Sequence, residues 1–305
     1  MIQHYQSHPL AQGCPPAWAS AWGQDEYGVW AAFTVAGVTQ RLRWIAPGRF
    51  RMGSPMDEEG RYDDEGPQHE VVLSEGFWLF DTPCTQALWL AVMGGENPSY
   101  FQSLQRPVEQ VSWHDSQQFI NALNEQIPGL PLRLPTEAQW EYACRAGTGT
   151  ATYAGDLTIL GERNAPMLHE TAWYGGNSGE DYDLDKGWDS SGWEETQFKN
   201  PQSGSREVGL KRANAWGLYD MLGNVWEWCR DGRRDYREET ERDPVGPGGG
   251  SRVVRGGAWD YGLARFVRAA SRFAYSPELR DYDLGFRCAL VHREPGRPVP
   301  EHGHP

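Results

Sequence analysis

Residues 132–147 read LRLPTEAQWEYACRAG and residues 214–231 read NAWGLYDMLGNVWEWCRD. In the first stretch an extended run meets Pro135, which disfavours helix in the residue before it. Thr136 follows as an N-cap, with Gln139 completing a T-x-x-Q capping box and Gly147 standing as the helix stop. In the second, Gly223 and Asn224 supply a turn, and Trp226 and Trp228 then alternate around Glu227 with the two-residue period of a strand that sends both indoles into a core. A second helix is predicted from Ser112, with Asp115 three residues on, carrying Phe119, Ile120 and Leu123 inward until Pro128 stops it. VWAAFTV (29–35) and RLRWI (41–45), bounded by Gly and Pro, read as strands. Few helices among many short strands make this an α+β chain.

The composition agrees. The 305 residues include 15 Trp, 36 Gly and 21 Pro, with 39% hydrophobic and 23% charged residues. Apolar area therefore comes in large aromatic pieces separated by turn formers, as in an irregular, loop-rich globule. A net charge of -14 opposes nucleic acid, and the densest arginine cluster, Arg252 to Arg287, is interleaved with Glu278, Asp281 and Asp283. It reads as internal ion pairing. No apolar run has membrane-spanning length. Five widely spaced cysteines form no CxxC, which fits reduced thiols in the cytoplasm.

Three regions are expected: an N-terminal arm over 1–20, one domain over 21–291, and a Pro-rich tail, HREPGRPVPEHGHP, over 292–305. Within the domain, residues 151–211 are dominated by Gly, Asn, Ser, Asp and Trp. That is the composition of a long ordered loop held by aromatics. Its DYDLD block lacks EF-hand spacing and reads as a solvated acidic loop.

Five segments in order, PGRFRMGS (47–54), RPVEQVSWHDSQQF (106–119), LRLPTEAQWEYACRAG, NAWGLYDMLGNVWEWCRD, and RVVRGGAW (252–259) with LGFRC (284–288), resemble the formylglycine-generating-enzyme or sulfatase-modifying-factor family. The resemblance spans roughly residues 45–290 and implies a single C-type-lectin-like α+β domain with little regular structure. It also implies that a catalytic member would carry two cysteines soon after the RGG motif, as copper ligands and thiol nucleophile. Here RGGAWDYGLARFVRAASR (255–272) contains none, and Cys288 lies far downstream. Iron-dependent relatives carry an HxxxHxE element, which is absent among the eight histidines; His69 and His114 stand alone. There is no GxSxG elbow. The resemblance further implies a structural calcium held by Asp220 and Glu227 side chains with the Gly223 and Val225 carbonyls. The alternative is that Asp220 caps a turn and Glu227 pairs with an arginine.

Residues 259–287 also resemble the variable region of diversity-generating-retroelement proteins, which display hypervariable residues on this same fold. That pattern has Asn-rich variable slots within a frame of Trp, Arg and a terminal GFR. It assigns Asp260, Tyr261, Gly262, Phe266, Ser271, Phe273, Ala274, Tyr275, Leu279, Asp281, Tyr282 and Asp283 to the slots, with Trp259, Arg268, Arg272, Arg280 and Phe286 in the frame. Mutating the first two bases of AAC cannot give Lys, Glu, Gln, Met or Trp, and none of the twelve is one of these. At ordinary residue usage, chance agreement is on the order of 7%. Tyr and Phe among Gly, Ala, Ser and Asp have the composition of a paratope. The leading expectation is a non-catalytic binding protein with an unknown protein or other macromolecular ligand on this face. A divergent enzyme of the formylglycine-generating or nonheme-iron type is the alternative, and a structural subunit associating through the acidic loop is a third.

Overall fold

The local signals at the helix ends are realised. Ser112 caps a helix over Trp113–Gln126, accepting the Asp115 amide while the Asp115 carboxylate accepts the Ser112 amide. Thr136 and Gln139 form the same reciprocal box at Glu137–Arg145. That helix ends with Ala146 in the left-handed region (φ +46°), one residue before the glycine expected there, and Gly147 follows at φ +90°. The computed structural model describes Leu10, residues 15–260 and residues 263–291.

In chain order the elements are β1 (Ala21–Asp25), β2 (Gly28–Val35), β3 (Val38–Ile45), β4 (Gly48–Met52), β5 (His69–Leu73), β6 (Phe77–Phe80), α1 (Gln86–Met93), α2 (Trp113–Gln126), α3 (Glu137–Arg145), β7 (Trp188–Asp189), β8 (Gln202–Ser203), β9 (Trp226–Gly232), β10 (Glu241–Arg242), β11 (Arg252–Arg255), β12 (Arg272–Tyr275), β13 (Leu284–Gly285) and β14 (Ala289–Val291). The sheets run β1-β2-β3-β6-β14, β10-β5-β4, β12-β11-β9-β13 and β7-β8. The chain's last strand pairs antiparallel with β6, Leu290 opposite Trp78, so early and late segments close one sheet. Helix α1 was not anticipated. Its sequence QALWLAVM is apolar after Gln86 and carries no 3.6-residue pattern, although Thr85 caps it by accepting the Leu88 amide.

The core lies between the five-stranded sheet, α1, α2 and the β9–β11 ladder. Trp89 stacks on Phe119 at 5.5 Å and Phe286 packs edge-on against Phe119 at 5.3 Å. Both β9 tryptophans are buried, as alternation requires, and Glu227 between them is buried too, so β9 is covered on both faces. The arm expected over 1–20 is corrected in part: Trp18 packs edge-on against Trp78 at 5.9 Å and Leu10 is buried, because a free indole edge is covered most favourably by the open side of the sheet. The tail over 292–305 lies outside the described residues. Residues 151–211 are mainly turns and bends around the short β7–β8 pair, in keeping with their composition.

Helix α3 is buried along its whole length, charges included. Glu141 accepts from Arg145 at 2.9 Å and also from Arg255, while Glu137 takes the Arg272 fork at 2.7 and 2.8 Å. Glu141→Gln removes the charge that two buried guanidiniums share and is expected to destabilise the protein by about 3–5 kcal/mol. Urea denaturation measures this; a loss below about 1 kcal/mol would show that the helix is held by packing alone.

The candidate binding face over residues 260–283

Strand β11 ends at Arg255, and Gly256 (φ +105°) and Gly257 (φ +77°) turn the chain out of the sheet in a conformation that favours glycine. From there to β13 the segment has little regular structure and is fastened at its frame residues. Trp259 is fully buried and its indole Nε1 donates to the Tyr282 carbonyl at 3.1 Å. Arg268, also fully buried, donates to Glu65 (2.8 Å to Oε2) and to Glu58. Arg272 forks onto Glu137, and Arg255 donates to the Ala270 carbonyl at 2.8 Å. Arg280 is exposed but forks onto Asp115 at 2.7 and 2.9 Å. Phe286 is buried.

The slot residues divide. Asp260, Phe266, Phe273, Ala274, Tyr275, Leu279, Asp281, Tyr282 and Asp283 are half-buried, each with part of its surface open. Tyr261 and Gly262 lie outside the described residues. Ser271 is a correction: it is fully buried, because it sits between Arg268 and Arg272 with its carbonyl accepting from Arg255. It belongs to the frame. Phe266 and Phe273 are also less free than slot positions should be. They pack on each other at 5.1 Å, Tyr62 stacks on Phe266 at 5.8 Å, and Trp226 lies under Phe273 at 5.3 Å. Phe273 and Tyr275 share one face of β12, so this aromatic patch runs on toward Tyr275, Asp281, Tyr282 and Asp283. There Tyr282 lies against Trp259 at 5.8 Å and stacks on Trp188 at 4.8 Å. Trp188, from the long irregular region, is a face residue that sequence reasoning missed; its contact crosses almost a hundred positions and leaves no local pattern.

Beneath this patch lies Glu109, fully buried. Its Oε1 accepts the Phe101 amide at 2.9 Å, and its Oε2 has no hydrogen-bond partner among the described residues. Burial pushes its carboxyl up to about 8, against the downward pull of the Phe101 and Tyr100 amides and with the Asp281 charge adding to the rise. Burial also raises Asp283 well above the usual carboxylate range, reinforced by Asp260 and Asp281.

The four residues expected to hold calcium do not form an open cage. Glu227 accepts both arms of the Arg287 fork at 2.7 Å and the Trp140 indole at 2.8 Å. Asp220 accepts the Gly209 amide at 2.7 Å and, more weakly, the Asn224 amide group, and Arg287 Nη2 also reaches the Asp220 carbonyl at 3.2 Å. Gly223 and Asn224 form the expected turn, at φ +76° and +65°, immediately before Val225. Glu227 is thus paired with Arg287 as the alternative describes, beside the Asp220 carboxylate and the Gly223–Asn224 turn that the calcium expectation names. His69 is buried between the Pro67 carbonyl (3.0 Å) and Glu241 (3.2 Å), and His114 is exposed. The four described cysteines are buried free thiols; burial pushes Cys144 up to about 12 and the other three well above the ordinary value.

Frame and face together define an α+β, C-type-lectin-like scaffold that presents an irregular C-terminal segment. Comparison with known proteins gives the family: the sulfatase-modifying factor enzyme 1-like domain matches residues 34–291, and this chain belongs to that family. It is 35% identical over 190 residues to a formylglycine-generating enzyme of Streptomyces coelicolor, covering 60% of this chain and 52% of that one, so the chain spans about half the enzyme's length. It is 32% identical over 223 residues to the chaperone protein LppX of Paenibacillus barcinonensis, covering 62% and 71%. Among solved structures it is similar to Treponema denticola variable protein 1, with a TM-score of 0.67 and 30% identity over 86% of this chain and 98% of that chain.

The raised carboxyl of Glu109 has a definite pH signature. A carboxyl whose folded-state value lies above its unfolded value adds stability at pH below about 4.5, and that contribution is lost as pH rises through about 8. Glu109→Gln keeps the Oε1 acceptor but cannot ionise. Its stability relative to wild type, read from melting temperatures, is therefore expected to rise between pH 5 and pH 9, by an amount on the order of a few kcal/mol. A difference that does not change with pH would contradict the assignment.

Proposed function

We propose that the chain is a non-catalytic binding protein that displays residues 260–283 to a protein partner, on a scaffold similar to that of variable proteins. The observation that carries this reading is the division of labour within one segment. Trp259, Arg268, Ser271, Arg272 and Phe286 are buried, while Asp260, Tyr275, Leu279, Asp281, Tyr282 and Asp283 are half-open on the same stretch. Side chains that are tied to nothing essential can change without loss of the fold, which is what a diversified surface needs. Two further facts support it. The likeness to variable protein 1 runs over 98% of that chain. Residues 255–272 contain no cysteine, so the soft, ionisable sulfur that copper-dependent thiol oxidation requires is missing where the family places it.

Aromatic anchors resting on a rigid base are where such a face concentrates binding energy. Tyr282→Ala is expected to cost at most about 1–2 kcal/mol of stability, because its ring is half-open, yet about 2 kcal/mol or more of affinity. Trp259→Ala opens a core cavity and is expected to cost about 3–5 kcal/mol of stability. Thermal melts beside capture of partners from the native host test this. If Tyr282→Ala unfolds the protein as badly as Trp259→Ala, or leaves capture unchanged, residues 260–283 are not the binding face.

A further inference from the structure

The buried glutamates among the described residues follow a rule. Glu65 is held by Arg268, Glu137 by Arg272, Glu141 by Arg145 and Arg255, and Glu227 by Arg287. One group breaks it. Asp281 and Asp283 flank Tyr282 on the face, and the Gln110 amide donates to the Asp281 carbonyl at 2.9 Å, bringing Glu109 in directly below. Glu109 is fully buried with Oε2 unpartnered and feels the charge of both aspartates. Among the described residues, no arginine or lysine makes an ion pair with Glu109, Asp281 or Asp283. Asp260 stands beside them on the face. The wall of this acidic patch is aromatic: Tyr282 stacks on Trp188 with the rings 29° apart, and Trp188 is 38% exposed.

Resting on the binding-face reading, we propose that this patch receives an arginine guanidinium of the protein partner, set between the Asp281 and Asp283 carboxylates and against the Tyr282–Trp188 stack. Carboxylates and a planar aromatic wall suit this cation in particular. The guanidinium gives forked hydrogen bonds to the first and lies flat on the second. A hard metal ion needs several oxygens converging on one point, and the described residues contain no group of three or more His, Cys, Asp or Glu side chains placed to hold one. The incoming charge supplies what Arg268, Arg272 and Arg287 supply to the other buried carboxylates.

The test is calorimetric titration of the full chain with an acetylated, amidated peptide carrying three arginines spaced by glycine, beside the same peptide with citrulline, which keeps the shape and loses the charge. The arginine peptide is expected to bind at least about tenfold more tightly. Asp281→Asn and Asp283→Asn should each lower its affinity about tenfold without lowering the melting temperature. Asp235→Asn, an exposed acid elsewhere, should leave it unaltered and so exclude general attraction to an acidic protein. Equal binding of the two peptides, or an equal loss in Asp235→Asn, overturns the proposal. So does calcium alone raising the melting temperature of wild type but not of Asp281→Asn, because the patch would then be a metal site. If the peptides fail to discriminate while Tyr282→Ala still abolishes partner capture, the binding face stands and the guanidinium falls.

Discussion

A fully buried set of arginine–carboxylate pairs ties the C-terminal segment to helix α3 and to the early loops, and the rest of the architecture depends on it. Arg255, Arg268, Arg272 and Arg287 come from one stretch of about thirty residues, and their partners Glu141, Glu65, Glu137 and Glu227 come from regions 60 to 203 residues away. Burying a charge is costly unless it is paired and hydrogen-bonded, so removing any one partner strands the other. This requirement fixes where the segment runs although it contains little regular structure. A hydrophobic core alone, being non-directional, would leave such a segment free to slide.

This arrangement separates stability from recognition along one stretch of chain. The guanidiniums and Trp259 point inward, and the described side chains between them are bound into the fold to differing degrees. Phe266 and Phe273 are the least free, since Tyr62 and Trp226 hold them. Asp281 and Tyr282 are the most open to replacement, because the scaffold uses their backbone: the Asp281 carbonyl takes the Gln110 amide and the Tyr282 carbonyl takes the Trp259 indole. A scaffold that fastens a face through its backbone tolerates change in the side chains there better than one that holds it by side-chain ion pairs. The same family holds enzymes, and residues 255–272 of this chain contain no cysteine.

Much of the fold was legible in the sequence because its signals are local. The capping boxes at Ser112 and Thr136, the Gly223–Asn224 turn and the Trp226–Trp228 alternation each involve residues within a few positions of one another, and the structure realises them. Helix α1 escaped because seven apolar residues in a row after Gln86 carry no periodicity to read. At the site, the frame was legible as buried or ion-paired, but which glutamate meets which arginine was not, since pairing over such separations is a property of the fold. Ser271 was misplaced for a related reason: a pattern of variable positions records where residues can differ in relatives and says nothing of burial here. That Glu227 is paired with Arg287, sixty residues on, was legible only as an unnamed arginine. Trp188 and Glu109, which give the face its wall and its buried charge, sit outside the segment that the sequence marked.

The central claim is that the fold does not depend on the side chains of the face. It is tested most directly by randomising Leu279, Asp281, Tyr282 and Asp283 together, displaying the library, and selecting for resistance to proteolysis, which reports the folded population. The account predicts that most members stay as resistant as wild type, whereas a matched library at Trp259, Arg268, Ser271, Arg272 and Phe286 loses resistance almost entirely. Comparable loss in both libraries would contradict it, and would mean that the segment is held by the residues proposed to be free.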